Sequence, residues 1–138
     1  MSAEKIIYTA LSEHAPLAAL VADRIYPLVI PEAARLPAIT YDVVSQREHK
    51  SLAAPAASAS RLVFATVRVT AAVQPNDYGT LTLIMDAIRA SLDGRTNTSF
   101  GGARNVVIHG GQESADAFDP ETQIASRSRV VQITYNLP

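Results

Sequence analysis

The side chains that most often carry chemistry are scattered along this chain. The three histidines are His14, His49 and His109, and no two of them stand at the spacing of paired metal ligands or in an H-E-x-x-H pattern. The 13 acidic residues show no pairing that marks a general acid and a general base. We therefore expect no catalytic residue, no metal site and no cofactor.

Two glycine pairs, Gly101-Gly102 and Gly110-Gly111, are the remaining candidates for phosphate contact. Neither fits G-x-G-x-x-G or the P-loop pattern, and neither clearly opens a helix, so both are interpreted as turns. The chain has no cysteine, which excludes disulfides, thiolate metal ligands and cysteine nucleophiles. An enzyme with a dispersed carboxylate or histidine site stays an alternative that no spacing supports.

Basic side chains fall into three pairs that share a loop, bracket a loop or share a strand face: Arg47 and Lys50, Arg95 and Arg104, Arg127 and Arg129. Each pair is either ordinary solvated charge, part of a polar subunit interface, or part of a surface that faces DNA. Aromatic residues do not alternate with these cations, so sequence-specific recognition of nucleic acid is not expected.

The composition is typical of one globular domain. The chain has 138 residues, of which 48% are hydrophobic and 18% charged, which argues against disorder. Its net charge of −1 gives no overall attraction to nucleic acid. The first eight residues lack a signal-peptide pattern, and no apolar run approaches the roughly 18 residues of a membrane span. We expect a protein that is made in the cytoplasm and stays there in soluble form.

Hydrophobic periodicity predicts two short helices, then strands at 38–44 and 61–73, a third helix, and strands at 105–109 and 123–136. The helices are expected to begin near Ser2, near Pro16 and after Pro75, and the last to end before Gly94. The strand at 61–73 has apolar residues on both faces at its start, which predicts a central position in the sheet.

These elements predict an α+β fold. We expect a single domain over residues 1–138, with a mostly antiparallel sheet of about four strands packed against two to three helices. The polar stretches at 45–60 and 95–104 are interpreted as mobile loops, because they contain glycine, proline, serine and charged residues without a clear period.

Five short stretches also resemble a known family in their order and spacing: Ile7 to Leu11, Pro16 to Val21, Asp23 to Pro27, Leu36 to Tyr41 and Ile84 to Gly94. The strongest local signature is D-R-I-Y-P at Asp23 to Pro27. On these stretches the chain resembles the bacteriophage tail-completion proteins of the DUF3168 type, which are related in fold to tail-terminator proteins. The resemblance covers roughly residues 5–94.

The resemblance implies a structural virion protein that forms a ring, usually a hexamer, at the head-proximal end of the tail. Such a ring terminates the tail tube and joins it to the head–tail connector, while DNA passes through the lumen without sequence specificity. The implied partners are further copies of the chain, the tail tube protein, the connector protein and DNA, with no membrane. The protein would lie in the virion neck and be assembled in the host cytoplasm.

Two hypotheses about sites follow. The loop 45–60, with Arg47, Glu48, His49 and Lys50, is expected to contact a neighbouring subunit, the tail tube or the connector, because it is long, mixed in charge and rich in alanine at its end. Arg95 and Arg104 are expected to face the lumen. Two other classes remain open: a head-completion or connector subunit, and an RNA-binding α+β module that would use Tyr41 and Phe64 on an exposed sheet face.

Overall fold

The computed structural model describes the backbone of residues 3–31, 34–50, 61–92, 95–100 and 103–137, and their side chains except those of 49, 50, 61, 95–100, 103–105 and 137. The helices are α1 (Ala3–Ser12), α2 (Ala15–Val21) and α3 (Tyr78–Leu92), with a short 3-10 helix (Pro75–Asp77) before α3. The strands are β1 (Ile25–Pro27), β2 (Ala38–Lys50), β3 (Arg61–Val73), β4 (Arg95–Phe100), β5 (Ala103–Glu113), β6 (Ala117–Asp119) and β7 (Ile124–Leu137).

The seven strands form one sheet in the order β1-β2-β3-β7-β5-β4, and β6 pairs with the first residues of β7. β1 runs parallel to β2, and every other pairing in the described sheet is antiparallel. β3 lies between β2 and β7 and pairs with β2 over residues 61–72 and with β7 over residues 61–73. The predicted central position of the strand at 61–73 is therefore confirmed.

One face of the sheet carries the hydrophobic core. Alternate residues of β3 from Val63 to Val73 are buried on this face, as strand geometry requires. α1, α2 and α3 pack over it, and α3 contributes an apolar stripe at three- and four-residue spacing. The largest fully buried side chains come from all of these layers: Ile6, Ile7, Leu11, Leu17, Ile39, Leu81, Ile84, Met85, Ile88, Leu92, Ile108 and Tyr135.

The α+β class, the three helices and the mostly antiparallel sheet are confirmed, but the sheet has more strands than expected. The expected four correspond to β2, β3, β5 and β7. The short β1 and β6 and the polar β4 complete the sheet at its margins. Strands of this kind have little hydrophobic periodicity of their own, because they are held mainly by pairing with a neighbour.

The prediction of loops at 45–60 and 95–104 is wrong wherever the structure describes those residues. β2 continues as strand to Lys50 and pairs with the start of β3, while 95–100 and 103–104 belong to β4 and β5. The physical reason is long-range pairing: polar residues adopt a strand when a neighbouring strand satisfies their backbone groups. Residues 51–60 and 101–102, like the expected helix-end residues Ser2 and Gly94, lie outside the described residues.

Candidate assembly surface on the open face and outer edge of the sheet

The face of the sheet opposite the helices, here called the open face, carries short polar side chains. Its described hydroxyl and amide residues are half-buried or exposed: Thr40, Thr66, Thr70, Ser126, Ser128, Gln132 and Thr134. The hydroxyls of Thr70 and Ser128 lie 2.9 Å apart across β3 and β7. Arg68 donates two hydrogen bonds to the Asp42 carboxylate, with a shortest distance of 2.8 Å. The open face is therefore hydrophilic, with one internally neutralised ion pair near its middle.

Most of the outer edge of β2 is unpaired among the residues that the structure describes. β1 pairs only with Ile39 to Tyr41, so beyond Tyr41 no described residue pairs with the outer side of β2. A bulge between Val43 and Ser45 shifts the register and leaves Val44 52% exposed. Bulges and charged residues are common on natural edge strands, where they prevent indiscriminate pairing. This edge can thus accept another strand only in a selective geometry.

Beyond the bulge, the residues from Ser45 to Glu48 are exposed on both faces of β2. Arg47 lies opposite Phe64 on the open face, and its guanidinium carbon is 5.2 Å from the centre of the Phe64 ring. Glu48 lies opposite the buried Val63, and strand geometry puts it on the other face. The side chains of Arg47 and Glu48 therefore lie on opposite faces of the sheet. In the predicted loop they could have belonged to one surface patch.

The other two residues of the predicted interface, His49 and Lys50, are the last residues of β2, opposite Leu62 and Arg61. Their side chains lie outside the described residues. Arg47, Glu48, His49 and Lys50 consequently stand at the end of a paired edge strand. Their role in contacting a partner stays a prediction.

The side chains of Arg95 and Arg104 also lie outside the described residues, and only their backbone positions are known. Arg104 pairs with Asn136, which pairs with Leu62, the partner of His49. Arg104 and His49 thus share one row across the sheet. Arg95 pairs with Ile108, four residues further along β5, or about 13 Å away at strand spacing. The fold brings Arg104, but not Arg95, to the end where β2 terminates.

Arg127 and Arg129 lie on one strand face, as expected, but both are engaged within the domain. Arg129 is 7% exposed, and its guanidinium lies 3.3 Å from Glu113, which also pairs with Arg89 of α3. Arg127 donates to Asp116 at 2.5 Å. Neither residue is ordinary solvated charge, because carboxylates more than ten residues away in sequence reach both of them.

Arg127 also changes the acidity of its partner. Its guanidinium, followed by the Tyr78 hydroxyl that donates to the same carboxylate, lowers the pKa of Asp116. The same hydrogen bond raises the pKa of Arg127 further above its already high ordinary value. This cluster ties the segment before β6 to β7 and to the start of α3.

An apolar groove that the sequence did not predict lies at the β1 end of the open face. Leu28 and Val29, in the turn after β1, are 73% and 72% exposed, and Phe118 of β6 is 51% exposed. They flank a groove of about 580 Å³ whose floor includes Thr40 and Thr70. Leu28 has a φ of 64°, which is unfavourable for a bulky residue. The sequence feature that could have predicted this groove is the apolar run between Pro27 and Pro31.

The described residues show no arrangement typical of a catalytic or metal site. They contain no group of three or more histidine and acidic side chains that could hold a metal ion. His14 is the N-cap residue of α2, and His109 is exposed on β5. Of the two aromatic residues considered for RNA binding, Tyr41 is buried against Tyr8 and Phe64 is 37% exposed. None of the described helices is both long enough and apolar enough to cross a lipid bilayer.

The fold is shared with a virion protein. A chain from the structure described as "Virion of native gene transfer agent (GTA) particle" superposes with a TM-score of 0.60 over 94% of this chain and 91% of that chain, at 14% identity. The sequence matches the family model described as tail completion protein gp17 over residues 5–135. The chain belongs to this family and is a structural protein of a phage-type tail. No characterised protein matches it in a sequence search.

Proposed function

We propose that this protein forms a ring at the head-proximal end of the tail, where it terminates the tail tube and joins it to the head connector. The observation that carries the proposal is the family match over residues 5–135, almost the whole described domain. The fold shared with a gene transfer agent virion chain supports it. In this role the protein acts by assembly and performs no catalysis.

The two margins of the sheet support ring formation. A closed ring of identical subunits needs two different, complementary patches on each subunit. The outer edge of β2 is one candidate, and the outer edge of β4, which pairs only with β5 among the described strands, is the other. Because β2, β7 and β4 run in one direction, a neighbour rotated about an axis along the strands would present β4 parallel to β2. We infer that successive subunits meet in this way.

The remaining assignments follow from the same role. The ring is a hexamer, its faces contact the tail tube and the connector, and DNA crosses its lumen without sequence specificity. The protein lies in the virion neck after assembly in the host cytoplasm. The β1 end and the opposite end of the sheet, where β2 terminates, provide two chemically different surfaces, one apolar and one polar, which suits a subunit with several partners.

The first test is electron microscopy of particles from a strain that lacks the gene. We expect filled heads beside separate tails, many of them longer than normal, because nothing stops tube growth. Normal joined particles would contradict the proposal. DNA-filled heads that carry the protein but no tail would instead favour a head-completion subunit.

The second test separates assembly from folding. Val44→Asp places a charge at the bulge on the outer edge of β2 and should abolish ring formation and head–tail joining without unfolding the domain, because Val44 is exposed. Leu83→Asp is the matched control, since Leu83 is 57% exposed on α3, away from that edge. The readouts are sedimentation of the purified protein and counts of joined particles. Equal behaviour of the two variants would exclude this edge from the interface.

A further inference from the structure

The open face contains a cleft that the family assignment does not explain. It has a volume of about 420 Å³ and crosses the four strands β2, β3, β7 and β5. At ordinary strand spacing, these four strands span a width of about 14 Å. Arg47 and Phe64 form one wall and His109 the other, with Thr66, Gln132 and Thr134 between them. A second cleft of about 480 Å³ continues from His109 and Gln132 along the glycine bulge at Gly110 and Gly111.

The charge of this cleft differs from that of the whole chain. The chain carries a net charge of −1, yet no carboxylate is among the described residues that line either cleft. Arg47 contacts the Phe64 ring and has no carboxylate partner among the described residues. The nearby Arg68 is neutralised by Asp42. Among the described residues, the cleft therefore offers one guanidinium without a carboxylate partner, surrounded by uncharged hydrogen-bonding groups, and this composition favours an anion.

The position of Phe64 indicates which part of a nucleic acid would be contacted. The Arg47 guanidinium lies over the Phe64 ring, so that ring face is occupied and does not provide a stacking platform for an unpaired base. A guanidinium placed over a ring keeps N–H groups available for other acceptors, and phosphate oxygens bind such groups. Threonine hydroxyls and glutamine amides also bond to phosphates and sugars without reading sequence.

We propose that this cleft binds the phosphodiester backbone of duplex DNA through Arg47, with hydrogen bonds from the uncharged floor. The inference rests on the proposed function for the identity of the polyanion, because a subunit at the head–tail joint meets the packaged DNA. The single cation that the described residues place in the cleft gives a weak contact, and repetition around a ring adds these contacts up while the duplex still slides. This assigns DNA contact to the open face, in addition to the positions Arg95 and Arg104 expected from the sequence.

The test measures binding of the purified full-length protein to a short random-sequence duplex by fluorescence anisotropy at several salt concentrations. Arg47→Gln should weaken binding roughly tenfold at about 50 mM salt and reduce the salt slope by about one for each subunit that contacts the duplex. The matched control is Arg35→Gln, which removes the same charge from an exposed position outside the cleft and should leave both quantities unchanged. Thermal unfolding of each variant verifies that the fold is intact.

Several outcomes would overturn the proposal. These are absence of duplex binding by the unaltered protein at low salt, equal losses for Arg47→Gln and Arg35→Gln, and tighter binding to single strands than to duplex. Equal competition by polyglutamate would show that the cleft accepts any polyanion. Since the measurement needs no particles, its failure alongside separate heads and tails in the deletion strain would reject the cleft and leave the proposed function standing.

Discussion

The two halves of β2 pair with the same strand, β3, but their surroundings are very different. From Ala38 to Val43 the strand pairs with β3, β1 pairs with Ile39 to Tyr41 on its other side, and Ile39 and Tyr41 are buried beneath the helices. From Ser45 to Glu48 it still pairs with β3, but its side chains are exposed on both faces and no described residue pairs with its outer edge. Pairing alone is thus enough to define the strand, whereas burial is confined to one half.

This difference indicates how the molecule separates stability from assembly. The half beneath the helices removes apolar surface from water, which is the main source of folding free energy. The exposed half contributes little burial and therefore tolerates side chains suited to a partner. The bulge between Val43 and Ser45 marks the boundary between the halves. Bulges often occur at sheet edges where side chains are re-aimed.

The strongest prediction sets the two halves of β2 directly against each other. Ile39→Ala should lower the free energy of unfolding by about 3 kcal/mol, because Ile39 is fully buried and its truncation leaves a cavity. Gln46→Ala, on the exposed half, should change it by less than about 0.5 kcal/mol. Urea denaturation followed by circular dichroism measures both values. Similar losses for the two variants would show that the halves are not energetically distinct.

A second prediction compares two glycines, one that lies against the buried side chain of Arg129 and one that has no neighbouring atoms where a β-carbon would be added. A β-carbon at Gly111 would overlap the guanidinium of Arg129, which is buried and paired with Glu113. Gly111→Ala should therefore cost about 2 kcal/mol. At Gly79, in the first turn of α3, nothing lies near an added β-carbon, and Gly79→Ala should stabilise by up to about 1 kcal/mol. Opposite shifts in the melting temperature are expected, and a rise for both would contradict the close packing of Arg129.

The smallest expected effect concerns the partly exposed cluster of Asp116, Arg127 and Tyr78. Folding lowers the pKa of Asp116, so its stabilising contribution is present above the ordinary aspartate pKa and is lost as the pH falls through the lowered value. Asp116→Asn should therefore cost less than about 1 kcal/mol at pH 7, and the difference from the unaltered protein should shrink below about pH 4. Urea denaturation at several pH values measures it, with exposed Glu121→Gln as the control. A difference independent of pH would contradict the ion pair.

The sequence by itself determined the parts of the fold that carry their own periodicity. The alternating residues of β3 and the apolar stripe of α3 predict their type, their buried face and, for β3, its central position, since each pattern matches one local geometry. The α+β class follows from the order of these elements. The resemblance over roughly residues 5–94 also led to the tail-completion family, which the match over residues 5–135 confirms.

Only the tertiary structure decided which residues come together on the surfaces of the sheet. The strand state of 45–50 depends on pairing with 61–66, and the partners of Arg127 and Arg129 come from the segment before β6 and from β5. The apolar groove and the Arg47 cleft each join residues from strands far apart in sequence. Local periodicity reports which side of an element is buried, but neighbours across a sheet are set by register and topology, which a single short stretch of sequence does not encode.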